Sequence, residues 1–283
     1  MKWGLVLEGG ASRTYFSCGV MDGLLKEKLF ADYVIGVSAG IAFGVSYVSR
    51  QFGRNYEILM KYESDKRYMG ARHLLNRKNR SYYNLDFVFD DIPNGLVPFD
   101  YNTFDGRDTE CKAVVTNLET GEPCYIEMPE DKRFMLLRAS CALPLLFQPI
   151  EVNGVKYMDG GVSDSIPFEK AFEDGCDKVV AVLTRPLGYI KSKEGATSLV
   201  KSAYRRYPEF IASFLSRPDR YNKDMEKLRE YERQGNVLIL APDDTFGIGR
   251  TEKDPKKLVK LYESGMECMR REAERVREFV ECD

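Results

Sequence analysis

The sequence predicts an α/β fold, with a parallel sheet covered by helices on its faces and a mostly helical segment toward the C-terminus. Three observations carry that expectation. Short apolar runs of strand type alternate with segments of helical spacing through the first fifty residues. A buried-type strand, Val179-Val180-Ala181-Val182-Leu183, returns late in the chain. Beyond Arg185 the composition shifts toward long stretches in which apolar residues recur every three or four positions.

The elements follow in order. Leu5-Val6-Leu7 is a strand closed by Glu8-Gly9-Gly10, and Cys18, Val20, Met21, Leu24 and Leu25 then fall at helical spacing. Tyr33-Val34-Ile35 is a second strand, and Ala39 to Phe43 opens a second helix. From Arg50 to Tyr101 the pattern loosens into an excursion of helices and loops rich in Tyr, Asn, Arg and Asp. Lys112 to Thr116 and Cys124 to Ile126 form a hairpin, helical spacing covers Lys132 to Ser140, and a second hairpin turns at Asn153-Gly154. Lys191 to Gly195 reads as a linker, Val237 to Leu240 as one more strand, and Lys256 to Val280 as a final amphipathic helix. Its stripe, from Leu258 and Tyr262 to Val276 and Val280, reads as a core face, with a membrane or partner surface as the alternative.

Composition sets bounds on function. The chain has 283 residues, 43% hydrophobic and 30% charged, and 42 basic side chains nearly balance 44 acidic ones. No overall field and no basic run recruits nucleic acid. No run of eighteen apolar residues offers a membrane span. Seven scattered cysteines lack metal-ligand spacing and suit a reducing compartment, so the expected location is the cytoplasm. The acidic residues Asp86, Asp90, Asp91 and Asp100 match no metal motif and read as a solvated loop. Tyr62, Tyr68, Tyr82 and Tyr83 are read equally well as loop packing or as the wall of an acyl groove.

Gly36-Val37-Ser38-Ala39-Gly40 has the form Gly-x-Ser-x-Gly and sits between a strand and a helix, where a nucleophile elbow must lie. Gly36 and Gly40 keep side chains out of the crowded turn, and the helix N-terminus behind Ser38 favours developing negative charge. A plain N-cap is the bland alternative. Serine needs a group to accept its proton. The single histidine, His73, lies in the loose basic region and reads as a solvated or structural side chain; a hydrolase triad built on it would need an unusual chain order. A carboxylate remains: Asp159 ends a hairpin strand and is followed by Gly160 and Gly161, although an Asp-Gly turn accounts for the same residues. Leu7-Glu8-Gly9-Gly10-Ala11-Ser12-Arg13-Thr14, between strand and helix, can present backbone amides to an oxyanion. It lacks the endings of the Walker and dinucleotide loops.

A Gly-rich loop with Arg13, Gly-Val-Ser-Ala-Gly and Asp-Gly-Gly, in that order, resembles the patatin-like phospholipases, in particular a bacterial branch with a helical C-terminal extension. Leu137-Arg138-Ala139-Ser140, Ala142-Leu143-Pro144, Tyr157-Met158 and Val182-Leu183-Thr184-Arg185-Pro186 belong to the same resemblance. It implies a three-layer α/β/α sandwich with a mainly parallel central sheet. It divides the chain into a catalytic domain, 1–188, and a helical extension packed on it, 189–283. It also implies a dyad of Ser38 as nucleophile and Asp159 as base, an oxyanion hole from Gly9, Gly10 and Ala11, and Arg13 supporting that loop. Expected substrates are lipid acyl esters, cleaved through an acyl-enzyme without metal or organic cofactor, with transient peripheral contact at a membrane surface.

Two departures stand out. Ala11 and Thr14 occupy positions where the family loop carries glycine. Either would cost roughly 1–2 kcal/mol if its φ had to be positive. That cost motivates the competing expectation, a non-catalytic lipid-binding or regulatory protein on the same fold.

Overall fold

In the computed structural model, which describes residues 1–75, 80–192 and 195–281, strand β1 (Trp3–Leu7) is buried along its whole length. Leu5 and Leu7 point into one core and Val6 into the other, the alternation a strand covered on both faces must show. Helix α1 (Tyr15–Lys26), strand β2 (Tyr33–Val37) and helix α2 (Ala39–Val48) follow. The loose region becomes α3 (Arg54–Tyr62), a 3-10 turn at Ala71–Leu75, a π-helical segment at Phe87–Leu96 and α4 (Tyr101–Asp105). Next come β3 (Glu110–Asn117), β4 (Pro123–Glu127), α5 (Met135–Ser140), β5 (Ile150–Val152), β6 (Val155–Asp159), α6 (Phe168–Glu173) and β7 (Lys178–Val182). The chain closes with α7 (Thr197–Ala203), α8 (Pro208–Arg233), β8 (Val237–Leu240) and α9 (Pro255–Glu281).

The sheet runs β5-β6-β3-β2-β1-β7-β8, with β4 also paired to β3. From β3 through β8 neighbouring strands are parallel, and the pairing turns antiparallel where the two hairpins join. Asn153 (φ 51°) and Gly154 (φ 80°) give the β5–β6 hairpin two left-handed central residues, as a tight type I′ turn requires.

Helices α1, α2 and α9 cover one face, and α6 with the C-terminal half of α8 covers the other, giving three layers. The stripe of α9 is a core face: Leu258, Met269 and Val276 are buried in the cluster that holds α1. Gly19 and Gly265 let these helices touch, since a Cβ on either would collide with a carbonyl oxygen of the other helix, that of Tyr262 or Phe16. Part of the Lys191–Gly195 linker, and Cys282, lie outside the described residues. No described helix is long and apolar enough to cross a membrane.

Candidate active site

Ser38 sits at the end of β2 and caps α2 with φ 53° and ψ −129°, a backbone conformation that costs of order 1–3 kcal/mol for a residue with a side chain. Neighbours enforce it. The Ser38 N–H donates to Ser140 Oγ at 2.8 Å, and Ser140 in turn donates to the Val114 carbonyl at 2.8 Å. A Cβ on Gly40 would stand 2.6 Å from the Leu7 carbonyl oxygen, and one on Gly36 2.9 Å from the Ile41 nitrogen. The turn can therefore be this tight only because both positions are glycine.

Asp159 ends β6, opposite Val115 of β3. Its backbone N–H donates to the Ala142 carbonyl at 2.9 Å, and its own carbonyl accepts from Thr116 Oγ1 at 2.8 Å. Oδ1 accepts from the Gly161 N–H at 2.8 Å, while Oδ2 is buried without a hydrogen-bond partner. Burial pushes the carboxyl pKa up. The nearby Ser38 hydroxyl, the Arg217 charge, the Gly161 N–H and the Arg250 charge pull against it. The hydroxyl is thus close enough to favour the ionised carboxyl, without a hydrogen bond of full geometry. Gly160 is packed so closely on Val114 that a Cβ there would meet its carbonyl oxygen.

The loop after β1 lies beside both. Ala11 has φ 49°, whereas Thr14 is right-handed at φ −66°. Only one of the two departures from glycine therefore strains the backbone. Among the described residues, the N–H groups of Gly9, Gly10 and Ala11 make no hydrogen bond. Gly10 rests on Thr184, whose hydroxyl would be 2.7 Å from an added Cβ. Thr184 also anchors the loop through Glu8, which accepts from the Thr184 N–H (2.6 Å), its hydroxyl (3.0 Å) and the Tyr221 hydroxyl (3.0 Å). Arg13 is buried; its backbone N–H reaches the Gly10 carbonyl at 3.1 Å, and its Nε has no partner.

Ser38 borders two cavities. One is apolar, walled by residues such as Phe43, Leu85, Phe89, Phe99, Phe134 and Leu137, and the loose region from α3 to α4 supplies its roof. The other is polar and holds Gly9, Gly10, Ala11, Arg13, Asp159 and Gly161. The predicted residues are thus gathered around one point. His73 is elsewhere, its Nε2 3.1 Å from the Lys66 carbonyl oxygen. The tyrosines divide: Tyr68 and Tyr83 line the apolar cavity, while Tyr62 packs edge-on against Phe87. Asp86 pairs with Arg138, and Asp100 caps α4 through the Thr103 N–H.

A model of the family described as patatin-like phospholipase matches residues 5–172. The chain belongs to that family. That family is described as one of phospholipases, hydrolases of lipid esters. A second model, a domain of unknown function (DUF6363), matches residues 207–281. Relatives of this patatin-like protein include the uncharacterized protein YjjU of Escherichia coli, 25% identical over 64% of the chain and 52% of YjjU. A lysophospholipase NTE1 of Meyerozyma guilliermondii is 26% identical over 63% of the chain and 12% of NTE1. A probable lipid hydrolase, 463L of Invertebrate iridescent virus 6, is 24% identical over 81% of the chain and 89% of its own length. The chain thus spans about half of YjjU and a small part of NTE1.

Several residues escaped the sequence reading of this patatin-like site. Ser140 and Thr184 lie inside stretches that carried the family resemblance, but nothing in their spacing assigned them to Ser38 or to Glu8. Glu63 is buried at the end of α3, lining the apolar cavity, and no sequence pattern marked it.

Proposed function

We propose that this chain is a serine acyl hydrolase that cleaves carboxylic esters of lipids through a Ser38–Asp159 dyad and an acyl-enzyme. The observation that carries the reading is the strained Ser38 at the junction of an apolar and a polar cavity, with Asp159 in the wall of the second. Ser38 Oγ attacks the ester carbonyl carbon while its proton passes to Asp159 Oδ2, the oxygen with no other partner. Burial makes that oxygen a better base than an exposed aspartate. The oxyanion is met by amides of Gly9, Gly10 and Ala11. Collapse expels the alcohol, which takes the proton from Asp159. Water activated by the same carboxylate then releases the acid. The acyl chain occupies the apolar cavity.

Transient contact with a lipid surface is part of this reading. Leu187 and Ile190, exposed at 42% and 77%, flank Tyr189 and Lys191 at the wall of the polar cavity. The competing reading, a non-catalytic lipid-binding protein, loses half its ground because Thr14 is right-handed and unstrained. Turnover of a short-chain nitrophenyl ester by purified protein tests the proposal. Loss of turnover in Ser38→Ala is the expected result, and equal turnover in wild type and variant would refute it.

A further inference from the structure

The apolar cavity holds a buried charge at a distance from Ser38. Its wall follows one side of α2 through Ser38, Ala39, Ala42 and Val45, and Arg54, at the start of α3, lines it too. Arg54 is 8% exposed. Its two terminal nitrogens donate to Ser46 Oγ at 3.0 Å and to the Val97 carbonyl at 3.1 Å, and Nε is buried without a partner. The ring centre of Phe99, another residue of the wall, lies 5.2 Å from the guanidinium carbon. Burial, opposed by Tyr101 and Glu57, lowers the pKa to about 10, so the group stays charged at neutral pH.

Among the described residues no carboxylate forms an ion pair with Arg54. Glu57 acts on it only from a distance and is itself paired with Lys61 at 2.6 Å. Glu63 is the one acid in the cavity wall among the described residues. It stands at the other end of α3, nine residues or roughly 13 Å away along the axis, and burial keeps it protonated up to about pH 7. A buried ion without a counter-charge is costly. Holding α2 to the end of the π-helical segment requires donors, not a charge, and a neutral side chain supplies donors at lower cost. A guanidinium fork, by contrast, matches a carboxylate.

The hydrogen bond to Ser46 fixes how far the charge lies from the nucleophile. Ser46 follows Ser38 by eight residues on α2, about 12 Å at 1.5 Å per residue. An extended chain of carbon–carbon bonds about 1.5 Å long covers that span in roughly ten carbons. We propose that the acyl half of the substrate carries a carboxylate at its far end, some ten carbons from the ester carbonyl, and that Arg54 receives it. This names the acyl class for the hydrolase and so rests on that reading; the carboxylate site itself does not.

The test uses the full chain carrying Ser38→Ala, which reads binding without turnover. Calorimetric titration compares monomethyl sebacate, a ten-carbon chain with one free carboxylate, against dimethyl sebacate. The monoester is expected to bind at least about tenfold more tightly, the advantage of a charge-assisted hydrogen bond. Monomethyl pimelate, three carbons shorter, is expected to show little advantage over its dimethyl ester, because its carboxylate stops short of Arg54. Adding Arg54→Met is expected to abolish the sebacate preference, and Arg54→Lys to keep part of it. In wild type, kcat/KM is expected to favour mononitrophenyl sebacate over nitrophenyl methyl sebacate by a similar factor, chiefly through KM.

Equal affinity for the two sebacate esters overturns the proposal without any need for an Arg54 variant to fold. An advantage as large at seven carbons as at ten also overturns it, since any basic group near Ser38 would give that result. So does a preference that survives Arg54→Met. Selective binding of the sebacate monoester with no cleavage of either nitrophenyl ester supports the Arg54 site and refutes the hydrolase reading. Cleavage of both esters with no selectivity in binding or rate does the reverse.

Discussion

Replacing Glu63 by glutamine tests the electrostatics of the apolar cavity. The carboxyl is 2% exposed, accepts 2.7 Å from the Tyr15 hydroxyl and is also met by Tyr68. Burial, partly offset by those two hydroxyls, pushes its pKa from 4.5 up to about 7. The folded protein therefore keeps this proton at a pH where the unfolded chain has released it. Between about 4.5 and 7 the native state binds more protons, so stability falls as pH rises and levels off above the folded pKa. A rise from 4.5 to about 7, at about 1.4 kcal/mol per pH unit, corresponds to about 3 kcal/mol in all. Between pH 5 and pH 8, about 2–3 kcal/mol of it remains to be seen. Glu63→Gln keeps an acceptor for the tyrosines and cannot ionise. Urea denaturation of both proteins at pH 5 and pH 8 is expected to show the variant gaining that much on wild type over the interval. A difference between the two proteins that does not change with pH would refute the reasoning. The same ionisation puts a charge in the wall of the apolar cavity, so KM for a long-chain ester is expected to rise above pH 7 in wild type and to stay level in the variant.

Other substitutions probe the frame around Ser38. Ala11→Gly relieves a left-handed alanine and is expected to raise stability by about 0.5–1 kcal/mol, the strain relief being partly offset by a freer unfolded chain; thermal melts read it. Ser140→Ala leaves the buried Ser38 N–H without its acceptor and is expected to cost about 1–3 kcal/mol, with a fall in kcat for a nitrophenyl ester. Gly160→Ala drives a methyl group into the Val114 backbone and is expected to lower the melting temperature by roughly 2–10 degrees, as differential scanning calorimetry would record.

The strands, the two hairpins and the core face of α9 were readable because each is written in a local period, and periodicity survives without knowledge of the partner. Ser38 and Asp159 were readable because glycines flank both, and the structure gives the reason: those positions touch backbone that would collide with a side chain. The cost of Thr14 was not readable, since φ depends on where the 3-10 turn at Ala11–Thr14 begins, and it begins at Ala11. The set of basic side chains around the polar cavity was invisible for a different reason. Arg13, Arg185, Lys191, Arg217 and Arg250 are scattered over more than two hundred positions, and only the order of the strands together with the packing of α8 brings them to one cavity. Glu63 likewise looked like any helix-end glutamate until Tyr15 and Tyr68 closed over it.

The proposed hydrolysis depends most on a buried carboxylate activating one serine. Intact-mass kinetics with a fluorophosphonate read this directly, comparing wild type, Ser38→Ala and Asp159→Asn. A single adduct on Ser38 in wild type, none in Ser38→Ala, and labelling slowed at least about a hundredfold in Asp159→Asn is the expected pattern. Labelling of Asp159→Asn at the wild-type rate would contradict it.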